Sequence, residues 1–212
     1  MATIINADTS NGLKLTSDTS GEIKLQSAGA DIATVSSTGL AMASGKTLTG
    51  DAVSSGKILQ VLQATKTDTF STNSTTFVDI TDLAVTITPS STSSKILVFN
   101  QLQAGTNGHG TIKTVKTVGG TTSDILVGDA DGNRSRGNSK IYISTWNPTT
   151  CVAQLLDSPN TTSAVTYKVQ CAVPHSASYY IYVNRAVSSS GASDFAYDVR
   201  SSSTITVMEV GA

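Results

Sequence analysis

Residues 77–102 read FVDITDLAVTITPSSTSSKILVFNQL. Two runs rich in Val, Ile, Leu and Thr, Phe77–Ile80 and Leu83–Thr88, precede the turn-forming Pro89-Ser90-Ser91-Thr92, and Lys95–Leu102 follows. β-Branched residues fit a pleated, half-buried surface, whereas Pro and Ser gather where the chain reverses. The stretch therefore reads as strand, turn and strand, with side chains alternating between a core and solvent. The same pattern continues to the end of the chain through Thr111–Val118, Asp124–Val127, Ile141–Thr145, Val152–Leu156, Val165–Val173, Tyr179–Val183 and Thr204–Val210. Upstream, Gly56–Gln63 suits a strand or a helical turn, and the β pattern that follows favours a strand. Regular short strands at this spacing predict an all-β fold, with residues 58–212 forming a C-terminal β-sandwich of the jelly-roll kind.

Residues 1–57 follow a sparser rule. Gly12–Leu15, Gly21–Leu25, Asp31–Val35 and Gly39–Met42 are short alternating pieces, and glycines at 12, 21, 29 and 39 mark an approximate repeat of one strand and one turn. Each piece carries two or three apolar residues, too few to offset the conformational entropy of ordering the segment alone. The N-terminal region is therefore expected to be a short-strand attachment or shaft region that completes its core by intertwining with other copies of the chain.

Composition narrows the function. Lys and Arg number 14 against 15 Asp and Glu, a formal net charge of −1. Such a balance lacks the basic field that phosphate recognition requires, so nucleic acid is not an expected partner. Ser and Thr make up more than a quarter of the chain, and charged residues only 14%, which predicts a neutral, hydroxyl-rich surface. No run of about 18 apolar residues occurs, so no membrane-inserted helix is expected. The opening Met1–Asp8 lacks the basic and apolar regions of a secretory signal, which reads as synthesis in a cytoplasm.

Motifs for chemistry are few. Gly45-Lys46-Thr47 lacks the preceding glycine, strand and helix of a phosphate-binding loop and reads as a turn. Asp129, Asp131 and Asn133 alternate around Gly132 as a calcium loop begins, but Arg134 and Arg136 follow where an acidic ligand should stand. A solvated hairpin tip is the better reading, and this charged loop is a candidate partner contact. His109, in Asn107-Gly108-His109-Gly110, and His175, after Pro174, read as exposed loop residues, the first in a flexible turn. Neither accompanies a nucleophile motif. No catalytic group, metal site or cofactor is expected.

Cys151 and Cys171 lie symmetrically about residue 161, within the turn-rich stretch Ser158-Pro159-Asn160-Thr161-Thr162, as neighbours across a hairpin would, and a disulfide between them is geometrically conceivable. Buried thiols are the default for two cysteines in a chain of this kind. Trp146, Tyr180 and Tyr182 are the aromatic candidates for a receptor or subunit contact. In a strand, Tyr180 and Tyr182 share one face, while Tyr179, Ile181 and Val183 point to the core.

Three segments carry a resemblance. The opening NADTSNGLKLTSDTSGEIKLQSAGADIATVSSTGLAMASGKTLTG (6–50), the central TDTFSTNSTTFVDITDLAVTITPSSTSSKILV (67–98) and the ending SSSTITVMEVGA (201–212) resemble fibre and tail-fibre proteins of marine, cyanophage-like bacteriophages. The resemblance implies a virion structural protein that is not an enzyme: a homotrimer whose N-terminal region joins other virion proteins or forms the shaft. Its outward β domain would meet a host surface glycan or protein. A long shaft is not in view at this length, which leaves a short fibre or spike, or a capsid decoration or head-fibre protein. A secreted lectin-like adhesin is a further alternative.

Overall fold

The computed structural model describes residues 20–47, 57–142, 147–187 and 198–211. Every regular element among them is a β-strand. The chain divides into two compact units, Met1–Val53 and Ser54–Ala212.

In the first unit, β1 (Ile23–Ser27), β2 (Ala30–Ser36) and β3 (Gly39–Met42) form one antiparallel sheet in that order. These strands fall on three of the four expected pieces; Gly12–Leu15 lies outside the described residues. Ala28 and Gly29, at φ 52° and 78°, form a two-residue turn, whose twist matches that of the flanking strands. Among the described residues of this unit only Ala33 is a fully buried hydrophobic, while Leu25, Val35 and Leu40 are 45%, 38% and 50% exposed. By themselves these three described strands, with one buried alanine, bury little apolar surface. Gly45-Lys46-Thr47 sits in a turn in which the Lys46 amide donates to the Ala43 carbonyl at 2.9 Å.

The second unit is built from β4 (Ile58–Lys66), β5 (Phe70–Thr72), β6 (Val78–Ile87), β7 (Lys95–Thr106), β8 (His109–Val118), β9 (Thr121–Ile125), β10 (Ser139–Tyr142), β11 (Thr149–Asp157), β12 (Val165–Ala172), β13 (Ile181–Val183) and β14 (Ser203–Val210). Its strands make two antiparallel sheets. In the six-stranded sheet, β7 pairs with β11 along one edge and with β14 and then β13 along the other. β4 and β5 continue outward from β14 and β13. In the five-stranded sheet, β8 lies between β12 on one side and β9 and β10 on the other, and β6 pairs with β12.

Val98, Leu102, Ile205 and Val207 from the first sheet meet Ile112, Val165, Tyr167 and Val169 from the second in a single buried cluster. Each such side chain contributes about 1.5–3 kcal/mol relative to exposure. The expected all-β sandwich is therefore what this part of the chain forms.

Several sequence boundaries shift for identifiable reasons. Phe77–Ile80 and Leu83–Thr88 belong to one strand, β6, interrupted where Asp82 takes φ 64° and the register against β12 slips. A bulge of this kind re-aims a strand without ending it. Gly119-Gly120, at φ 55° and 83°, closes a two-residue hairpin, so β9 starts at Thr121, upstream of the expected Asp124. Of the stretch Gly56–Gln63, residues from Ile58 onward resolve as strand, within β4, and Gly56 lies outside the described residues.

The hairpin expected between the cysteines does not form. β11 pairs with β7 and β12 with β6 and β8, so residues 158–164 cross from one sheet to the other. Periodicity places each cysteine on a core face but carries no information about which strand lies alongside. Both thiols are free and buried, and burial pushes Cys151 up to about 11 and Cys171 up to about 12.

Polar seams tie the layers. Asn100 Nδ2, on β7, donates across the core to Thr114 Oγ1, on β8, at 2.7 Å. Lys116 and the Tyr167 hydroxyl both donate to Asp157 at 2.8 Å. Where β4 gives way to β5 and β14 to β13, the fully buried Asn184 donates from Nδ2 to the Lys66 and Asp68 carbonyls at 2.9 Å and accepts from Ser203 Oγ at 2.6 Å. Asn184→Ala would strand these buried partners and should cost about 2–4 kcal/mol, read as a lowered midpoint in urea unfolding.

Glu209 lies 1% exposed on β14. Burial alone would raise its carboxyl, but donors from Ser90 and Gln60 outweigh that and hold it at about 2. A depressed carboxyl stabilises the fold fully above its unfolded value and loses that contribution as pH falls through the folded value. Thermal unfolding should therefore show stability falling between about pH 4.5 and 2. Glu209→Gln should flatten that slope while lowering stability at neutral pH.

Candidate functional site

The turn between β7 and β8 brings the two histidines of the chain together. His109 opens β8 and is half-buried, with its ring centroid 4.8 Å from Tyr142, 5.5 Å from His175 and 6.2 Å from Tyr179. His175 stacks on Tyr179 at 6.0 Å with planes 17° apart. These rings stand beside an open cleft of ≈ 820 Å³ whose walls include His109, His175, Asn133, Arg134 and Lys140. Tyr142 is 60% exposed, with Lys140 Nζ 5.6 Å from its ring centroid.

The reading of His109 as a flexible-turn residue is corrected by its glycines. A Cβ on Gly108 would overlap the Tyr179 ring, and one on Gly110 would come 2.8 Å from the Ile181 side chain. Gly-His-Gly is thus a close-packing motif in which two side chains lie flat on bare backbone. Glycines on both sides of the histidine are visible in the sequence, but they suit a turn as well as a close approach. His175 is exposed, as expected.

The far wall is also tied in place. Asn138 donates from its amide to the Ile112 carbonyl at 2.9 Å and from Nδ2 to Thr114 Oγ1 at 2.8 Å. Gly137 fits against Ile112 and Thr111 where a Cβ would collide. Asn73 Nδ2 holds the Ala177 carbonyl at 3.2 Å, and the Val173 amide donates to the Ser74 carbonyl at 2.8 Å, fixing the segment that carries His175.

Of the residues singled out by sequence, Tyr180 and Tyr182 come together. Their rings stack at 5.8 Å, 19° from parallel, and the Arg185 guanidinium caps Tyr182 at 4.3 Å. Tyr180 is 38% exposed, while Ile181 and Val183 are fully buried and Tyr179 packs on the core, as the alternation required. Arg185 joins the stack from beyond the strand, out of reach of a period-two argument.

Asp129, Asp131, Arg134 and Arg136 lie in one exposed loop. Arg134 pairs with Asp131, and Arg136 Nε donates to the Gly128 carbonyl at 2.7 Å, so both arginines also shape the loop. Among the described residues no group of three or more His, Cys, Asp and Glu is placed to hold a metal ion. Trp146 lies outside the described residues.

Chemically, the cleft offers donors and aromatic faces, and none of its lining residues is Asp or Glu. Such a surface suits a ligand with many acceptors and flat apolar faces, as a sugar has. No protein-family model matches this chain, and no curated protein matches it in sequence.

Gly108→Ala should force the Tyr179 ring off its seat at a cost of about 1–3 kcal/mol. The expected signs are a changed near-ultraviolet circular dichroism spectrum and a lower unfolding temperature.

Proposed function

We propose that this protein is a structural subunit of a bacteriophage virion, forming a short homotrimeric fibre or spike. Its C-terminal sandwich binds an acidic glycan of the host surface in the cleft beside His109 and Tyr142. The carrying observation is the cleft itself: aromatic rings beside cationic and amide donors, with no carboxylate in the lining.

Glycoside cleavage uses a pair of carboxyl groups flanking the scissile bond. This cleft is read as a binding site rather than a catalytic one. Tyr142 supplies a face for the apolar side of a sugar ring, while Lys140 favours a carboxylate or sulfate on it and Arg134, shared with Asp131, adds donors to the wall. Individual affinity at so open a surface is modest, and repeated copies on one particle raise it through effective concentration.

The virion assignment draws on the resemblance of the three sequence segments to phage fibre proteins. The thin first unit supports it, because a sheet with one buried alanine needs other copies to complete a core. In the proposed particle the N-terminal region meets the other virion proteins.

Binding of the purified protein to an array of acidic and neutral bacterial polysaccharides tests the adhesive role. Tyr142→Ala and Lys140→Ala should each weaken retention about tenfold, near 1.4 kcal/mol, with unchanged unfolding temperature. Equal binding by the variants would remove the cleft from the account. Imaging of labelled particles tests location, and copies at capsid symmetry axes would move the protein to the capsid-decoration reading.

A further inference from the structure

The two outer faces of the sandwich differ in kind. On the five-stranded sheet, charged side chains bridge neighbouring strands: Lys168 pairs with Asp79 at 2.8 Å and Lys113 with Asp124 at 2.7 Å. Such a face is finished against water.

The outer face of the six-stranded sheet is not. Val61, Met208, Leu97 and Leu156 stand side by side in one row across β4, β14, β7 and β11. The next row is Gln63, Thr206, Phe99 and Gln154, and the third is Thr65, Thr204, Gln101 and Val152. Their sequence neighbours Val98 and Val207 belong to the core, so these rows face away from it. Val61, Val152 and Leu156 are 54%, 50% and 48% exposed. No row contains a charge.

The sheet's outer strands repeat the anomaly. Proteins guard strand edges with charges, proline or bulges. Yet β11 carries no charged residue from Thr149 to Leu156, and β4, which bulges against β14 at Glu209/Val210 and is tied by Gln60 to the Thr88 carbonyl at 2.9 Å, carries none from Ile58 to Thr65.

We propose that this outer face is the surface on which a second copy of the chain packs. The inference rests on the oligomeric reading above and assigns it a place in the C-terminal unit. Charge selects the occupant. When copies pack about a symmetry axis, a charge near that axis meets its own kind, and a face of apolar, threonine and glutamine side chains avoids that repulsion. Glutamine and threonine each both donate and accept, so the rows of one copy can satisfy whichever rows of the next copy they meet. Four strands spaced ~4.8 Å, over the five residues of ~3.3 Å that the three rows span, present about 320 Å² of sheet before side-chain relief and edge backbone are added. That is about two-fifths of the ~800 Å² per partner of a stable interface, and side-chain relief and the edges of β4 and β11 add to it.

The test is the solution mass of the full chain by light scattering, for the native sequence and for a Val61→Lys, Leu156→Lys double variant. A Thr86→Lys, Thr117→Lys variant on the opposite face serves as control. The native and control chains should be oligomeric, and the double variant should dissociate at least a hundredfold more readily. A monomeric native chain would overturn both this interface and the trimeric reading. An oligomeric native chain with an unaffected double variant would overturn the interface alone, as would a variant that keeps its mass but loses attachment to particles.

Met208 gives a second readout that needs no mutation. Its oxidation by peroxide should slow as the native chain is concentrated into the oligomer, and an unchanged rate would count against the interface.

Discussion

The sandwich depends on how one buried asparagine closes a gap between strands. Two columns of the six-stranded sheet are each made of two short strands laid end to end, β4 with β5 and β14 with β13. At such a break the backbone loses ladder partners, and a buried carbonyl or amide left alone costs about 1–3 kcal/mol. Asn184 takes φ 60°, a conformation asparagine tolerates better than most residues. From there its side chain serves the carbonyls of Lys66 and Asp68, while its own amide reaches the Gln103 carbonyl at 2.8 Å. Ser203 completes the arrangement by donating to Asn184 and accepting from the Gln103 amide at 2.9 Å. β7, β4, β13 and β14 are thereby registered at one point.

That registration has an order in the chain. β14, the last strand, lies between β4 and β7. The six-stranded sheet closes only when residues near 60 and near 205 have met. Contacts so distant in sequence carry a large loop-closure cost before they return any stabilisation, which favours slow, cooperative folding. The cleft inherits the rigidity that results. His109 stands at the start of β8, directly after β7, and Tyr179 leads into β13, so the rings that define the site are held by strands that Asn184 fixes.

Much of this was legible in sequence because alternation is local. The strands around residues 77–102, the inward set Ile181 and Val183, and the pairing of Tyr180 with Tyr182 on one face all follow from a period of two. Pairing between strands does not. Cys151 and Cys171 read as cross-strand neighbours, yet opposite layers bury both just as well, and alternation cannot tell the two arrangements apart. His109 was misread for a related reason. Glycine beside it signals a turn or a close approach, and only the position of Tyr179 decides between them. Arg185 over Tyr182 and the Lys66 ammonium, held by Asp68 at 2.7 Å, depend on where strands end. Composition is silent on that point. The contrast between the two outer faces also needed register, since rows exist only once strands are aligned.

The separation of the two sulfurs into opposite layers has a consequence for the medium in which the protein works. Each thiol is buried, and burial raises both above the usual thiol range, so little thiolate forms in the folded state. The fold needs no oxidant to form and holds no cross-link for a reductant to open. A sandwich built this way is indifferent to redox potential: the same bonds hold it together in a reducing solution and in an aerated one.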